Sequence, residues 1–323
     1  MRRVLLLATK DTIALAVGAG YVASGADLIG VSGASRAGVD VVAIDVVSEP
    51  GWDLEPTTML ALARRVRAAL LDQDFDGVVL THGLDTIVDT AFLVDLLAGP
   101  AADRGGIVLT GASRFLDDPA TDGPRNLASA LTAAADPEVR GLGAIVCVHD
   151  ELHAARWARY VDATAPAGFS SAPHPLLGRV LAGRVELAAA GPPRPPAVPG
   201  EPAADVALVK TYPGIDGSLL LGLADAGVRG VVLEGTGPGN VPASLLAAIN
   251  DLTEWGIPVV VTSRSWAAPS HVSGWPCTNL ATAVGAVAAL ELAPEQARVA
   301  LMVALGAGSV SGVRDWFAAL SRA

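Results

Sequence analysis

Short apolar runs rich in Val and Ile alternate with longer Ala- and Leu-rich stretches along most of this chain, and that alternation limits the folds it can adopt. Runs bounded on both sides and apolar throughout suit strands buried on both faces. Longer stretches between them suit helices that return the chain to the same edge, so the pattern predicts an α/β protein with a doubly wound parallel sheet. Residues 4–8, 41–47, 77–81, 107–111 and 144–148 read as strands, and 56–71, 85–97 and 123–135 as helices. The polar residues of interest then fall just after strand C-termini, where open α/β sheets form their ligand crevices.

A Pro-, Ala- and Gly-rich stretch at 188–204, with Pro192-Pro193-Arg194-Pro195-Pro196 inside it, can continue neither a helix nor a central strand. It divides the chain into an expected catalytic domain at 1–187 and a smaller α/β domain at 205–323. In the second, strands are expected near 206–211, 230–233 and 258–262, and helices near 218–226, 242–255 and 280–292. A chain of 323 residues with 51% hydrophobic content has enough apolar surface for two cores. Aromatics make up only 4%, so Ala, Val and Leu must fill those cores.

The charge balance excludes one class of partner. A formal charge of −11 and a pI near 4.8, with no cluster of Lys and Arg, argue against binding a phosphate backbone. Cys147, in an expected strand, and Cys277, in an expected loop, do not make a disulfide framework. Met1-Arg2-Arg3 followed by residues 4–8 faintly resembles a secretory signal, but the apolar stretch is short and reads as the first buried strand. No run is long and apolar enough to span a bilayer, so the expected location is the cytoplasm.

Several motifs occur in order: residues 8–14 (ATKDTIA), 81–86 (THGLDT), 108–114 (VLTGASR), 122–127 (DGPRNL), 150–156 (DELHAAR), Tyr212-Pro213-Gly214, and 234–242 (EGTGPGNVP). Together they resemble the two-domain bacterial L-asparaginase/glutaminase family across most of the chain. The resemblance implies a flavodoxin-like N-terminal domain, a small-molecule substrate, no cofactor, and assembly as a homodimer or homotetramer. It makes Thr12 the nucleophile that forms an acyl-enzyme, Tyr21 the tyrosine of a mobile lid, and Asp85 the carboxylate that binds a substrate ammonium. On the residues alone, Thr12 could instead cap a turn, and Asp85 could cap the following helix.

The departures from the family pattern bear on the reaction. Leu84 stands where relatives have a second threonine, and a leucine can neither donate a hydrogen bond nor activate water. Tyr160 stands where relatives have a lysine that orients that threonine. Gly51 aligns with a serine that binds the substrate carboxylate and Trp52 with its polar neighbour, which predicts selectivity for something larger, flatter or less charged. Ser113 and Asn240 complete the expected substrate pocket, Asn240 through a neighbouring subunit. Lys10 and Asp11 replace a glycine pair beside the nucleophile. Either Lys10 restores a lost amine next to Thr12, or the two form a surface salt bridge.

Two other signals carry less. His149 and His153 have the i, i+4 spacing of helical zinc sites but begin at a strand end, and no metal is expected. Residues 235–240 mimic a dinucleotide loop, yet Pro238 removes a backbone donor and no ribose-binding acid follows. His82 is a structural donor in the family, although a histidine there could act as a base. The expected function is hydrolysis of a small carboxamide or amino-acid-like acyl compound through Thr12, with poor turnover of L-asparagine. Alternatives on the same scaffold are elimination, cyclisation or acyl transfer, and binding without turnover.

Overall fold

The structure, a computed structural model, describes residues 1–33, 38–47, 49–194, 200–265, 276–289, 291–306 and 312–322. It divides into two compact units, Met1–Arg194 and Pro195–Ala323.

The first unit contains, in chain order, β1 (Arg2–Thr9), a hairpin of β2 (Leu15–Ala16) and β3 (Tyr21–Val22), α1 (Gly25–Ser32), β4 (Val39–Val47), α2 (Pro56–Asp72), β5 (Gly77–Thr81), α3 (Ile87–Ala98), the single turn α4 (Ala101–Arg104), β6 (Gly106–Thr110), α5 (Gly123–Ala135), β7 (Ala144–Val148), β8 (Glu151–Ala154), β9 (Arg159–Tyr160), β10 (Phe169–Ser170), β11 (Gly178–Leu181) and β12 (Arg184–Leu187). The main sheet has the order β12-β11-β8-β7-β6-β5-β1-β4. Strands β4, β1, β5, β6 and β7 are parallel, which is the doubly wound order with its switch point between β1 and β5. Strands β5, β6 and β7 are buried along their whole length, as expected of a sheet covered on both faces.

One face packs Leu5, Leu7, Val78, Leu80, Leu109 and Val146 against α2 and α3. The other packs Val4, Leu6, Val79, Val108 and Ile145 against α1 and α5. Small residues set the helix approach: a Cβ on Gly77 would lie 2.0 Å from the Ala134 carbonyl oxygen of α5. The antiparallel extension β8-β11-β12 lies beyond the sequence-based reading. Its turn places His149 and Asp150 at φ 53° and 64°, so the His149/His153 spacing spans a hairpin and not a helix. Among the described residues no group of metal-binding side chains forms.

Residues expected as linker are partly claimed by the two units. Arg194 forms an ion pair with the buried Asp95 and donates to its carbonyl, whereas Ala203 N–H donates to the Met302 carbonyl. Residues 195–199 lie outside the described residues.

The second unit contains β13 (Val206–Lys210), α6 (Ser218–Asp225), β14 (Gly230–Gly235), α7 (Leu246–Glu254), β15 (Val259–Ser263), α8 (Pro276–Ala283), β16 (Val287–Ala288), α9 (Pro294–Gly306) and α10 (Gly312–Arg322). Its parallel sheet has the order β13-β14-β15-β16. The helix expected over 280–292 does not form: α8 ends at Ala283, Gly285 takes φ 104°, and the next residues add β16 to the sheet. Cys277 falls in α8 rather than a loop; Cys147 is buried in β7 with its thiol pKa raised by burial.

Candidate active site at the switch point

The loops after β1 and β5 meet at the switch point, and their bases are fixed before any reactive side chain appears. Thr9 N–H donates to the Thr81 hydroxyl at 2.8 Å, and the Thr9 hydroxyl donates to the Thr81 carbonyl at 2.8 Å. Both residues are buried. A cross-strand pair of this kind locks the register where the two loops diverge.

Asp11 organises the loop that leaves β1. It is 3% exposed, and its carboxylate accepts from Thr12 N–H at 2.6 Å, the Thr12 hydroxyl at 3.1 Å and Gly51 N–H at 2.6 Å. Asp11 thereby caps the 3₁₀ turn Thr12–Ala14, so the capping alternative for Thr12 belongs to its neighbour. The carboxylate rests against Gly83, where an added Cβ would lie 2.4 Å from Oδ2. Gly51 is buried and bound at both ends, because its carbonyl accepts from the Thr86 hydroxyl at 2.6 Å. Three loops are thus joined through one carboxylate. Thr12 remains partly accessible beside it.

Lys10 does not take part. Its side chain is exposed while that of Asp11 is buried, and among the described residues the two form no ion pair. The expected surface salt bridge is absent because successive residues leaving a strand point to opposite sides. Trp52 is 66% exposed, so its indole stands at the rim of the Gly51 turn.

Tyr21 lies on the β2–β3 hairpin, 48% exposed. Its hydroxyl donates to Asp27, whose carboxylate also completes the capping box of α1 with Ser24. Donation to Asp27 holds the Tyr21 phenol above its ordinary pKa. Bonds from Ser24 and Tyr21 hold Asp27 down to about 2. The hairpin is further tied by Asp117, which accepts from Gly18 N–H at 2.6 Å and Ala19 N–H at 3.3 Å.

At the β5 loop, His82 is buried between the Gly83 carbonyl (Nδ1, 2.8 Å) and the Thr90 hydroxyl (Nε2, 2.8 Å). The carbonyl can only accept, so Nδ1 carries the proton and Nε2 accepts from Thr90. Burial lowers its pKa despite the nearby Asp11 charge; both nitrogens are engaged, and the ring is structural. Leu84 is 6% exposed and packs into the core cluster that includes Leu80, Ile87, Ala158 and Phe169, with Tyr160 against it. The Tyr160 ring stacks on Phe169 at 4.8 Å. Its phenol pKa is raised by burial, then by the charges of Asp85, Asp162 and Asp122. Leu84, Asp85 and Tyr160 are therefore gathered in one place. Asp85 is exposed, and the helix cap is Thr86 rather than Asp85.

Beyond β6, Asp122 accepts from Ser113 N–H at 3.1 and 3.0 Å, Arg114 N–H at 3.1 Å and Asn126 Nδ2 at 3.0 Å. Asn126 also donates to the Gly111 carbonyl at 2.9 Å. This bracing leaves the Ser113 hydroxyl buried and without a partner. Asn240 belongs to the second unit, where residues Thr236 and Asn240 close a short loop through Thr236 N–H to the Asn240 carbonyl at 2.9 Å. Sequence reasoning does not single out Asp11 or Asp122 as site residues. The only signal for either is its place inside an ordered motif.

No helix among the described residues is long and apolar enough to cross a membrane. Residues 3–192 match the family model "Asparaginase, N-terminal" and residues 205–317 "Glutaminase/Asparaginase C-terminal domain". The chain is 33% identical to a glutamyl-tRNA(Gln) amidotransferase polypeptide of Methanopyrus kandleri over 81% of its length, and spans 59% of that relative. It is 29% identical to an L-asparaginase of Bacillus licheniformis, covering 82% of each chain. A probable L-asparaginase of Deinococcus radiodurans is 32% identical, with 84% and 83% covered. The crystal structure of a probable cytoplasmic L-asparaginase from Campylobacter jejuni superposes with a TM-score of 0.85 at 26% identity, over 99% of this chain and 100% of that one. With both domains matched in order and the doubly wound sheet carrying Thr12 at its switch point, the chain belongs to the asparaginase/glutaminase family.

Proposed function

We propose that this protein hydrolyses a small carboxamide or amino-acid-like acyl compound through Thr12, and that it turns over L-asparagine poorly. The observation that carries the reading is the Thr12 hydroxyl, partly accessible at the switch-point crevice and donating to a carboxylate at 3.1 Å. A threonine becomes a useful nucleophile when a neighbour can take its proton. Asp85, exposed beside Tyr160, supplies an anion for a substrate amine. Leu84 and Tyr160 supply no proton transfer on the far side of the pocket, which is why L-asparagine is expected to be a poor substrate. The same reading has the chain working as a homodimer or homotetramer, which light scattering on the purified protein measures.

Thr12→Val keeps the side-chain volume and removes the hydroxyl. Ammonia release from a panel of small primary amides should fall to background in this variant, while melting temperature moves little, since Asp11 provides the cap. Wild-type release from L-asparagine should stay well below the ~10 s⁻¹ typical of enzymes. Undiminished turnover by Thr12→Val would remove Thr12 from the mechanism.

The apolar packing of Leu84, Tyr160 and Phe169 favours a second reading, in which a drier pocket carries acyl transfer in place of hydrolysis. Mass analysis of products formed with added amine acceptors separates the two.

A further inference from the structure

We infer that Asp11 is the catalytic base for Thr12, a role that rests on the threonine-nucleophile reading above. Three features support it. The carboxylate is in contact with the reacting atom, taking the Thr12 hydroxyl at Oδ1. It is held by two backbone N–H groups, Thr12 and Gly51, each at 2.6 Å, so it cannot swing away. It is 3% exposed, so bulk water competes little for the Thr12 proton. Lys10 has no such contact, and His82 has both nitrogens committed at 2.8 Å.

The step balances without any further reactant. Asp11 takes the proton as Thr12 Oγ1 forms its bond to the substrate carbonyl carbon. The tetrahedral oxyanion collapses, the C–N bond breaks, and the leaving nitrogen takes the proton from Asp11 and departs as ammonia. Water then gives a proton to Asp11 as it attacks the acyl-threonine, and Thr12 recovers the proton as the acid is released. The carboxylate ends as it began. Of the titratable groups around it, His82 on the β5 loop interacts with the Asp11 charge; it stays neutral because it is buried, and does not titrate with the reaction.

The test uses p-nitrophenyl acetate, whose activated acyl group reports on Thr12 without knowledge of the natural substrate. Acetylation is followed by p-nitrophenolate release and located by peptide mass analysis, with Thr12→Val as the blank. In the wild type the acetylation rate should be nearly flat from about pH 6 to 8, because an ionised carboxylate is the base. Asp11→Asn and Asp11→Gly should each slow it by ~10²–10⁴-fold and make it climb about tenfold per pH unit, since hydroxide must then remove the proton. Asp11→Gly places at this position the residue relatives carry, which keeps one variant foldable if the amide of the other disrupts Gly51. A merely structural role for Asp11 would not change the slope. Acetylation of Thr12 with the same rate and slope in both variants overturns the inference and leaves the nucleophile intact. A tenfold-per-unit rise in the wild type itself overturns it even if neither variant folds. No acetylation of Thr12 in the wild type removes the nucleophile, and the base with it.

Discussion

Leu84 and Tyr160 are tied to each other by packing, and that explains how a family pocket can lose two polar groups together. Leu84 is 6% exposed within a cluster that Tyr160 and Phe169 complete. A threonine introduced alone at position 84 would bury a hydroxyl among apolar groups, at a cost of about 1–3 kcal/mol if unpaired. A lysine alone at 160 would lose the stacking on Phe169, although the nearby Asp85, Asp122 and Asp162 would attract it. Leu84→Thr with Tyr160→Lys lets the two polar groups satisfy each other, so the effects should be strongly non-additive. Melting temperature is expected to drop in Leu84→Thr and partly recover in the pair, and only the pair should gain ammonia release from L-asparagine. Additive behaviour in both readouts would mean that the two positions do not communicate. The sequence makes Leu84 and Tyr160 visible as departures from a motif, yet it misreads Asp11 as the partner of Lys10. What buries Asp11 is the approach of Gly51 and Gly83 from distant parts of the chain, and no local pattern encodes that.

At the level of elements, strands buried on both faces announce themselves as continuous apolar runs, and β5, β7 and α5 lie where the pattern places them. The antiparallel strands β8, β11 and β12 are short, with β11 and β12 alternating buried and exposed positions, and such brief alternation is a weak signal. The expected 280–292 helix fails at Gly285, where the left-handed backbone lies so close to Thr253 that a Cβ would stand 2.7 Å from its hydroxyl. Apolar composition there fits either a helix or an edge strand, and only pairing with β15 decides. Glycine also positions the candidate site. A Cβ on Gly111 would fall 2.2 Å from the His82 carbonyl oxygen and 2.8 Å from Leu84 Cδ2. Gly111→Ala must therefore push the β5 loop away from β6, and an overpacked position of this sort costs about 1–3 kcal/mol. Chemical denaturation should report that loss, and p-nitrophenyl acetate labelling of Thr12 should weaken with it. An unchanged midpoint would imply that the loop yields freely and that the site is less rigid than its hydrogen bonds suggest.

For the molecule as a whole, buried histidines set how it responds to acid. His153 lies 1% exposed in β8, with Nδ1 beside the Ser171 hydroxyl at 2.9 Å and Nε2 without a hydrogen-bond partner. Burial pushes its pKa down to about 4, although Glu151 opposes the shift. His82 is shifted in the same direction by burial. The unfolded chain carries ordinary histidines with a pKa near ~6.5, so between roughly pH 6.5 and 4 it binds protons that the folded chain refuses. Folded stability is therefore complete above that window and declines as pH falls through it. His153 alone accounts for up to about 3 kcal/mol by pH 4. Urea midpoints should accordingly fall between pH 7 and pH 5, and His153→Gln, which cannot titrate, should flatten part of that slope while leaving the Thr12 loop in place. Equal pH dependence in wild type and His153→Gln would mean that His153 is charged in the folded protein, with Glu151 prevailing over burial.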